Sequence, residues 1–204
     1  MKSTSKDKTL RLTQLAMLTA LVVVLQVIAA LIPPIAGTVS ITLTLVPVVV
    51  GAILFGISGG AVLGFTFGAI VLINCITGLD LGGNLLWSAN PLFTVIICFI
   101  KGTMAGIVPA LLYNLIKDKR NTSRRYVAAL IAALSAPIVN TGLFVCGMFL
   151  FFKGTLYAWA GDTDVLTYIL VGLAGINFLV ESLINIILTP AIVRIVDVVK
   201  KNKK

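Results

Sequence analysis

Apolar residues run along this chain in long blocks separated by short polar stretches, rather than alternating with polar positions as in a half-buried strand. A hydrocarbon layer of about 30 Å needs about 20 helical residues, fewer where neighbouring helices give support. Six blocks meet that rule: residues 11–32, 42–56, 59–77, 91–116, 126–152 and 165–195. The pattern predicts an all-α membrane protein, a six-transmembrane-helix bundle forming one integral membrane domain over residues 1–204. The second block is short and contains Pro47. Proline removes an amide donor from a helix, so this span is expected to be short and kinked, leaning on its neighbours rather than on lipid. The first block follows a Lys-rich start but exceeds a signal-peptide core and lacks a small-residue cleavage site, so it reads as a retained helix.

Composition agrees: of 204 residues 59% are hydrophobic and only 11% charged, with a mean hydropathy of +1.10. Charge then orients the spans, because cytoplasmic flanks carry excess Lys and Arg. A basic arm (1–10, followed by Arg11), a basic loop (117–125) and a basic tail (196–204, preceded by Arg194) fall on one side of a six-span bundle. Both termini are therefore expected to be cytoplasmic. The net charge of +9 is largely this topology signal, with anionic membrane lipid as a partner, and calls for no nucleic acid. Histidine is absent, which removes the commonest metal ligand and general base, so no metal, no cofactor and no enzymatic activity are expected. Cys75, Cys98 and Cys146 lie in apolar runs and read as buried small hydrophobes.

Ionisable groups inside a span cost about 2.5–3.5 kcal/mol on insertion scales and are normally paired or turned toward a cavity. Two stand out. Lys101 lies ten residues into the fourth span and Glu181, the sole Glu, about 16 residues into the sixth. Asn177, Glu181 and Asn185 recur at four-residue steps and form a polar stripe on one helix face. Two arrangements are open: Lys101 and Glu181 pair and fix helix packing, or one or both face a ligand. Free of Glu181, Lys101 would offer an ammonium to a ligand carboxylate or phosphate. Asn74, Asn90, Asn140 and Trp87 join the candidate substrate-binding set, since Asn supplies both donors and acceptors. Each Asn is as well suited to an interhelical hydrogen bond. Trp87, Tyr157 and Trp159 also suit an interfacial aromatic belt.

Small residues at four-residue spacing let helix backbones approach closely. Gly56, Gly60, Gly64 and Gly68 in "FGISGGAVLGFTFG" should pack inside the bundle, around a tight Gly-rich turn, while Ala16 and Ala20 share one face of the first span. With six spans, "LAMLTAL" after a basic arm and "LTLVPVVVGAILFGISGGAVLGFTFGAI", the chain resembles the S components of energy-coupling factor (ECF) vitamin transporters. "NPLFTVIICFIKGTMAGIVPALL" looks most like the pantothenate-type members. The resemblance implies a high-affinity vitamin-binding subunit of an ATP-driven importer in the bacterial cell membrane, with pantothenate favoured over riboflavin or another vitamin. It implies that Ala16 and Ala20, matching an Ala-x-x-x-Ala motif, dock onto a separate coupling subunit, and that two ATPase subunits supply energy. By resemblance, the loop after the first helix gates the pocket, so Thr38 to Thr44 are expected near the ligand. The sequence holds no Gly-x-x-x-x-Gly-Lys-Ser/Thr phosphate loop of its own. The rival readings are an ion-coupled carrier with Glu181 as its titrating group and a non-transporting scaffold. The carrier is disfavoured by the small number of helices and the lack of an internal repeat.

Overall fold

In the computed structural model, which describes residues 5–31, 44–118, 121–173 and 175–201, several helices begin where the sequence supplies a cap. The Asp80 carboxylate accepts from the Gly83 amide at 3.0 Å and opens α3 (Leu81–Ala89). Asn90 Oδ1 accepts from the Phe93 amide at the head of α4 (Pro91–Ile116), where Pro91 occupies a position whose missing N–H leaves no helical bond unmade. Asn121 does the same for α5 (Thr122–Phe151) through the Arg124 amide, and Asp164 for the short α7 (Val165–Thr167) through Thr167. The other helices are α1 (Ser5–Leu31), α2 (Leu45–Thr77), α6 (Lys153–Ala160) and α8 (Gly175–Lys201), with a π-helical stretch over Tyr168–Leu173. Five of them, α1, α2, α4, α5 and α8, are long and apolar enough to cross a membrane.

α2 is not a straight rod. At Gly56 the backbone takes φ 72°, ψ −157°, a region open essentially to glycine alone. Across this break, a methyl group at Gly51 would overlap the Leu63 side chain, and one at Gly60 would lie 3.2 Å from Ala52 Cβ. Residues 51 and 63 of an unbroken helix would be about 18 Å apart, so the two limbs fold back on each other. The blocks expected at 42–56 and 59–77 are these two limbs. The kink is at Gly56 and not at Pro47, which sits buried in the first turn of α2, where its missing N–H has no intrahelical partner to lose.

Glycines also set the main helix seam. A methyl group at Gly60, Gly64 or Gly68 would collide with the carbonyls of Gly106, Gly102 and Cys98 on α4, so these backbones touch without side chains between them. Three of the four glycines at four-residue spacing thus pack inside the bundle, and the fourth, Gly56, forms the break. α5 meets α8 along buried alanines, with Ala128, Ala129, Ala132 and Ala133 in one core with Ile192 and Val196. α1 packs chiefly on α2.

One end of the bundle gathers the basic residues. Arg11 of α1 donates to the Phe55 carbonyl beside the α2 break. Ile53 lines a cleft with Tyr113 of α4, Arg125 of α5 and Asp197 of α8. The start of α1, the α2 break, the end of α4, the start of α5 and the end of α8 therefore share this basic end. At the far end, α3 and α6 cover the bundle, with Leu86, Ile97, Met148, Phe152 and Leu156 in a separate apolar cluster.

The helix bounds sharpen several sequence expectations, and one is corrected. Over the block expected at 165–195 the described residues are helical, as α7, the π-helical stretch and α8, and Glu181 lies in the second turn of α8. The residues just before the fourth block form the helix α3, and Asn140 and Thr141 lie inside α5. Cys75 and Cys98 are buried, but Cys146 is exposed.

Candidate functional site

Pairwise contacts fix how the helices lie alongside one another. On α4 and α5, Phe93 stacks on Phe151 at 4.4 Å between ring centroids, Ile97 fills the space beside Gly147, and Lys101 Nζ lies 5.0 Å from the centroid of Phe144. The two helices are antiparallel, and Lys101 is level with Phe144. On α5 and α8, Arg125 bonds Asp197 at 2.8 Å, and Ala129 and Val193 line one cleft, so these helices are antiparallel too. Counting fifteen residues away from the basic end along each, about 22 Å at 1.5 Å per residue, reaches Asn140 on α5 and Ser182 on α8. Lys101, Asn140, Glu181, Ser182 and Asn185 thus share a depth range of about two helical turns.

Within that range the polar side chains are buried. Glu181 is 3% exposed, Asn185 1%, Asn140 7% and Ser182 8%. The Asn185 amide donates to the Glu181 carbonyl at 2.8 Å, and Thr189 donates to the Asn185 carbonyl at 2.8 Å. Asn185 Oδ1, Asn140 Oδ1 and Ser182 Oγ have no hydrogen-bond partner among the described residues. Each such buried group costs about 1–3 kcal/mol while it remains unsatisfied, so the region is built to receive hydrogen bonds. Lys101 is half-buried and its ammonium rests on an aromatic face, a favourable but non-neutralising contact. The ion pairs among the described residues are Arg124–Asp118 and Arg125–Asp197. Lys101 and Glu181 do not pair, which removes the first of the two arrangements left open by the sequence.

The remaining candidates divide. Asn90 spends its side-chain oxygen on the α4 cap. Trp87 packs against the main core. Asn74 is buried in the last turns of α2, where its carbonyl accepts from the Asp80 amide at 3.1 Å. These three stand at the far end, away from Asn185. Thr44, fully buried, donates to Gln26 Oε1 of α1 at 2.8 Å. The Asn177 side chain and the segment 38–43 lie outside the described residues. Gln26 and Ser182 were not singled out from the sequence. A lone amide in "VVVLQVIAAL" was the available signal for Gln26, whereas Ser182 lies off the four-residue stripe. On α1, Ala16 and Ala20 are exposed together with Leu12 and Met17, so this face is left uncovered by the described residues. No group of metal-ligating side chains occurs among the described residues.

The chain has relatives among known proteins. The sequence model of the family described as "ECF transporter, substrate-specific component" matches residues 10–193. The pantothenic acid transporter PanT of Lactococcus lactis subsp. cremoris (strain MG1363) is 31% identical over 163 residues, which span 74% of this chain and 75% of that protein. No solved structure gives a significant match.

Proposed function

We propose, from the premise that the chain belongs to the family of ECF transporter substrate-specific components, that its ligand is pantothenate, bound with high affinity between α4, α5 and α8. Family membership makes the chain a vitamin-binding, multi-pass subunit of the plasma membrane and not an enzyme. Lys101 carries the substrate reading: a half-buried ammonium with no carboxylate in ion-pair reach among the described residues suits a ligand bearing one carboxylate. Pantothenate also carries hydroxyls and an amide, which match the unsatisfied oxygens of Asn140, Ser182 and Asn185. Glu181, Asn177 and Thr44 complete the proposed lining, while Asn74, Asn90 and Trp87 close it off from the far end. The relative named for pantothenic acid supports the same substrate.

In this reading the membrane is crossed six times, the two limbs of α2 counting separately. The basic end, with Arg11, Arg124, Arg125 and Arg194, faces the cytoplasm together with both termini. The exposed Ala16 and Ala20 face docks onto a coupling subunit, and two ATPase subunits provide the energy. Equilibrium binding of labelled pantothenate to the purified protein tests the substrate. Retention without an ion gradient is expected, and uptake driven by a proton gradient through this polypeptide alone would sink the reading.

A further inference from the structure

α1 is the least embedded of the long helices, with 17% of its apolar window buried. Polar contacts tie it to α2 toward both ends. Toward the far end, Thr44 donates to Gln26. At the basic end, Arg11 Nη2 lies 3.1 Å from both the Phe55 carbonyl and the Ser58 hydroxyl, and its guanidinium carbon stands 5.8 Å from the centroid of the Phe55 ring.

The location explains the residue type. The break at Gly56 ends the first limb of α2 and deprives its last carbonyls of the amides that a continuing helix would supply. That terminus carries partial negative charge, which a cation complements. Both bonds come from one amino group, Nη2, whose two N–H bonds are fixed in the guanidinium plane; an ammonium is a freely rotating point donor without that plane. Orienting α1 in the membrane needs only a positive charge at the basic end, so these contacts do more than topology requires. Arg11 lies on the same helix as Ala16 and Ala20, five and nine residues before them, and their small side chains are exposed.

We infer that Arg11 is a positioning residue for energy coupling: its bonds at the α2 break set the height and rotation of α1 and hold Ala16 and Ala20 in the alignment that the coupling subunit docks against. This rests on the docking reading above, and Arg11 itself touches neither the vitamin site nor the small-residue pair. The test uses proteoliposomes containing the subunit, its coupling subunit and both ATPases, with ATP-dependent uptake of labelled pantothenate measured beside equilibrium pantothenate binding to each purified variant. For Arg11→Gln, binding stays within about twofold of wild type while uptake falls about tenfold or more, as expected for lost hydrogen bonds to a charged group. Arg11→Lys, which keeps the charge but not the planar donor group, falls between the two. Ser58→Ala removes one acceptor without touching charge, and lowers uptake by a factor of about two to five. Uptake by Arg11→Gln and Ser58→Ala at the wild-type rate, with Ala16→Trp inactive, overturns the inference and leaves the docking reading standing. Equal loss of binding and uptake in Arg11→Gln also overturns it, since the residue would then serve folding. Full uptake by Ala16→Trp, or none by wild type, marks failure of the underlying reading instead.

Discussion

The Lys101 ammonium lies 5.0 Å from the centroid of Phe144, and no carboxylate among the described residues neutralises it. A cation–π contact is worth about 0.5–2 kcal/mol, enough to hold a side chain in place but small against a charge-assisted hydrogen bond to a bound anion. Lys101→Gln should therefore weaken pantothenate binding by about 2–3 kcal/mol, roughly 30- to 150-fold. An analogue with the carboxylate replaced by a hydroxymethyl group should bind wild type and variant within a few-fold of each other. Titration calorimetry with both ligands checks this. Equal losses for both ligands would mean that Lys101 shapes the site without meeting the carboxylate.

The unsatisfied oxygens make a prediction of unusual sign. Asn140 is buried, and its side-chain oxygen has no partner among the described residues. Replacing such a group with an apolar one of similar shape removes a desolvation cost, while removing it from a ligand contact costs about 1–3 kcal/mol. Asn140→Leu is expected to leave the ligand-free thermal midpoint unchanged or higher while pantothenate affinity drops about tenfold or more. A lower midpoint with unaltered affinity would return Asn140 to a purely structural role.

Much of this was legible in the chain for identifiable reasons. The apolar block at 91–116 coincides with α4 because Asn90 caps the helix just where the apolar run starts and polar residues from Lys117 follow where it stops. The glycine seam was legible because a four-residue period survives into the structure as one helix face. The position of the kink was not: Pro47 looked like the breaker, but a proline in the first turn breaks nothing, and the unusual backbone belongs to Gly56. Nor could spacing within single helices show that Asn140 and Ser182 lie at one depth, because that follows from the Arg125–Asp197 contact between residues far apart in sequence. The same limit left the pairing of Lys101 with Glu181 open until both helices were placed.

The glycine seam should tolerate no side chain. Alanine at Gly64 would place its methyl group against the Gly102 carbonyl, and alanine at Gly106 would meet Gly60. Backbone carbonyls cannot rotate away, so the helices must separate, at a cost of about 1–3 kcal/mol for each substitution. Gly142 has open space where its methyl would go, so Gly142→Ala serves as the control. Thermal unfolding in one detergent should show lower midpoints for Gly64→Ala and Gly106→Ala and a near wild-type midpoint for Gly142→Ala. Unchanged midpoints at the seam would mean that α2 and α4 pack less closely than the contacts require.

Gly56 separates backbone strain from steric crowding. Nothing lies within 4 Å of a methyl group built at this position, so volume alone predicts that alanine is harmless. Its φ of 72° with ψ of −157° predicts otherwise, because a side chain there costs about 1–3 kcal/mol. Relief would come by straightening α2, which would pull Leu63 from Gly51 and Phe55 from Arg11. Gly56→Ala should therefore lower the thermal midpoint although its site is as open as that of Gly142. A cysteine pair at Gly51 and Leu63 should cross-link in the parent and less readily once Gly56→Ala is added. A midpoint equal to the parent's and undiminished cross-linking would show that the fold-back of α2 does not depend on glycine at its apex.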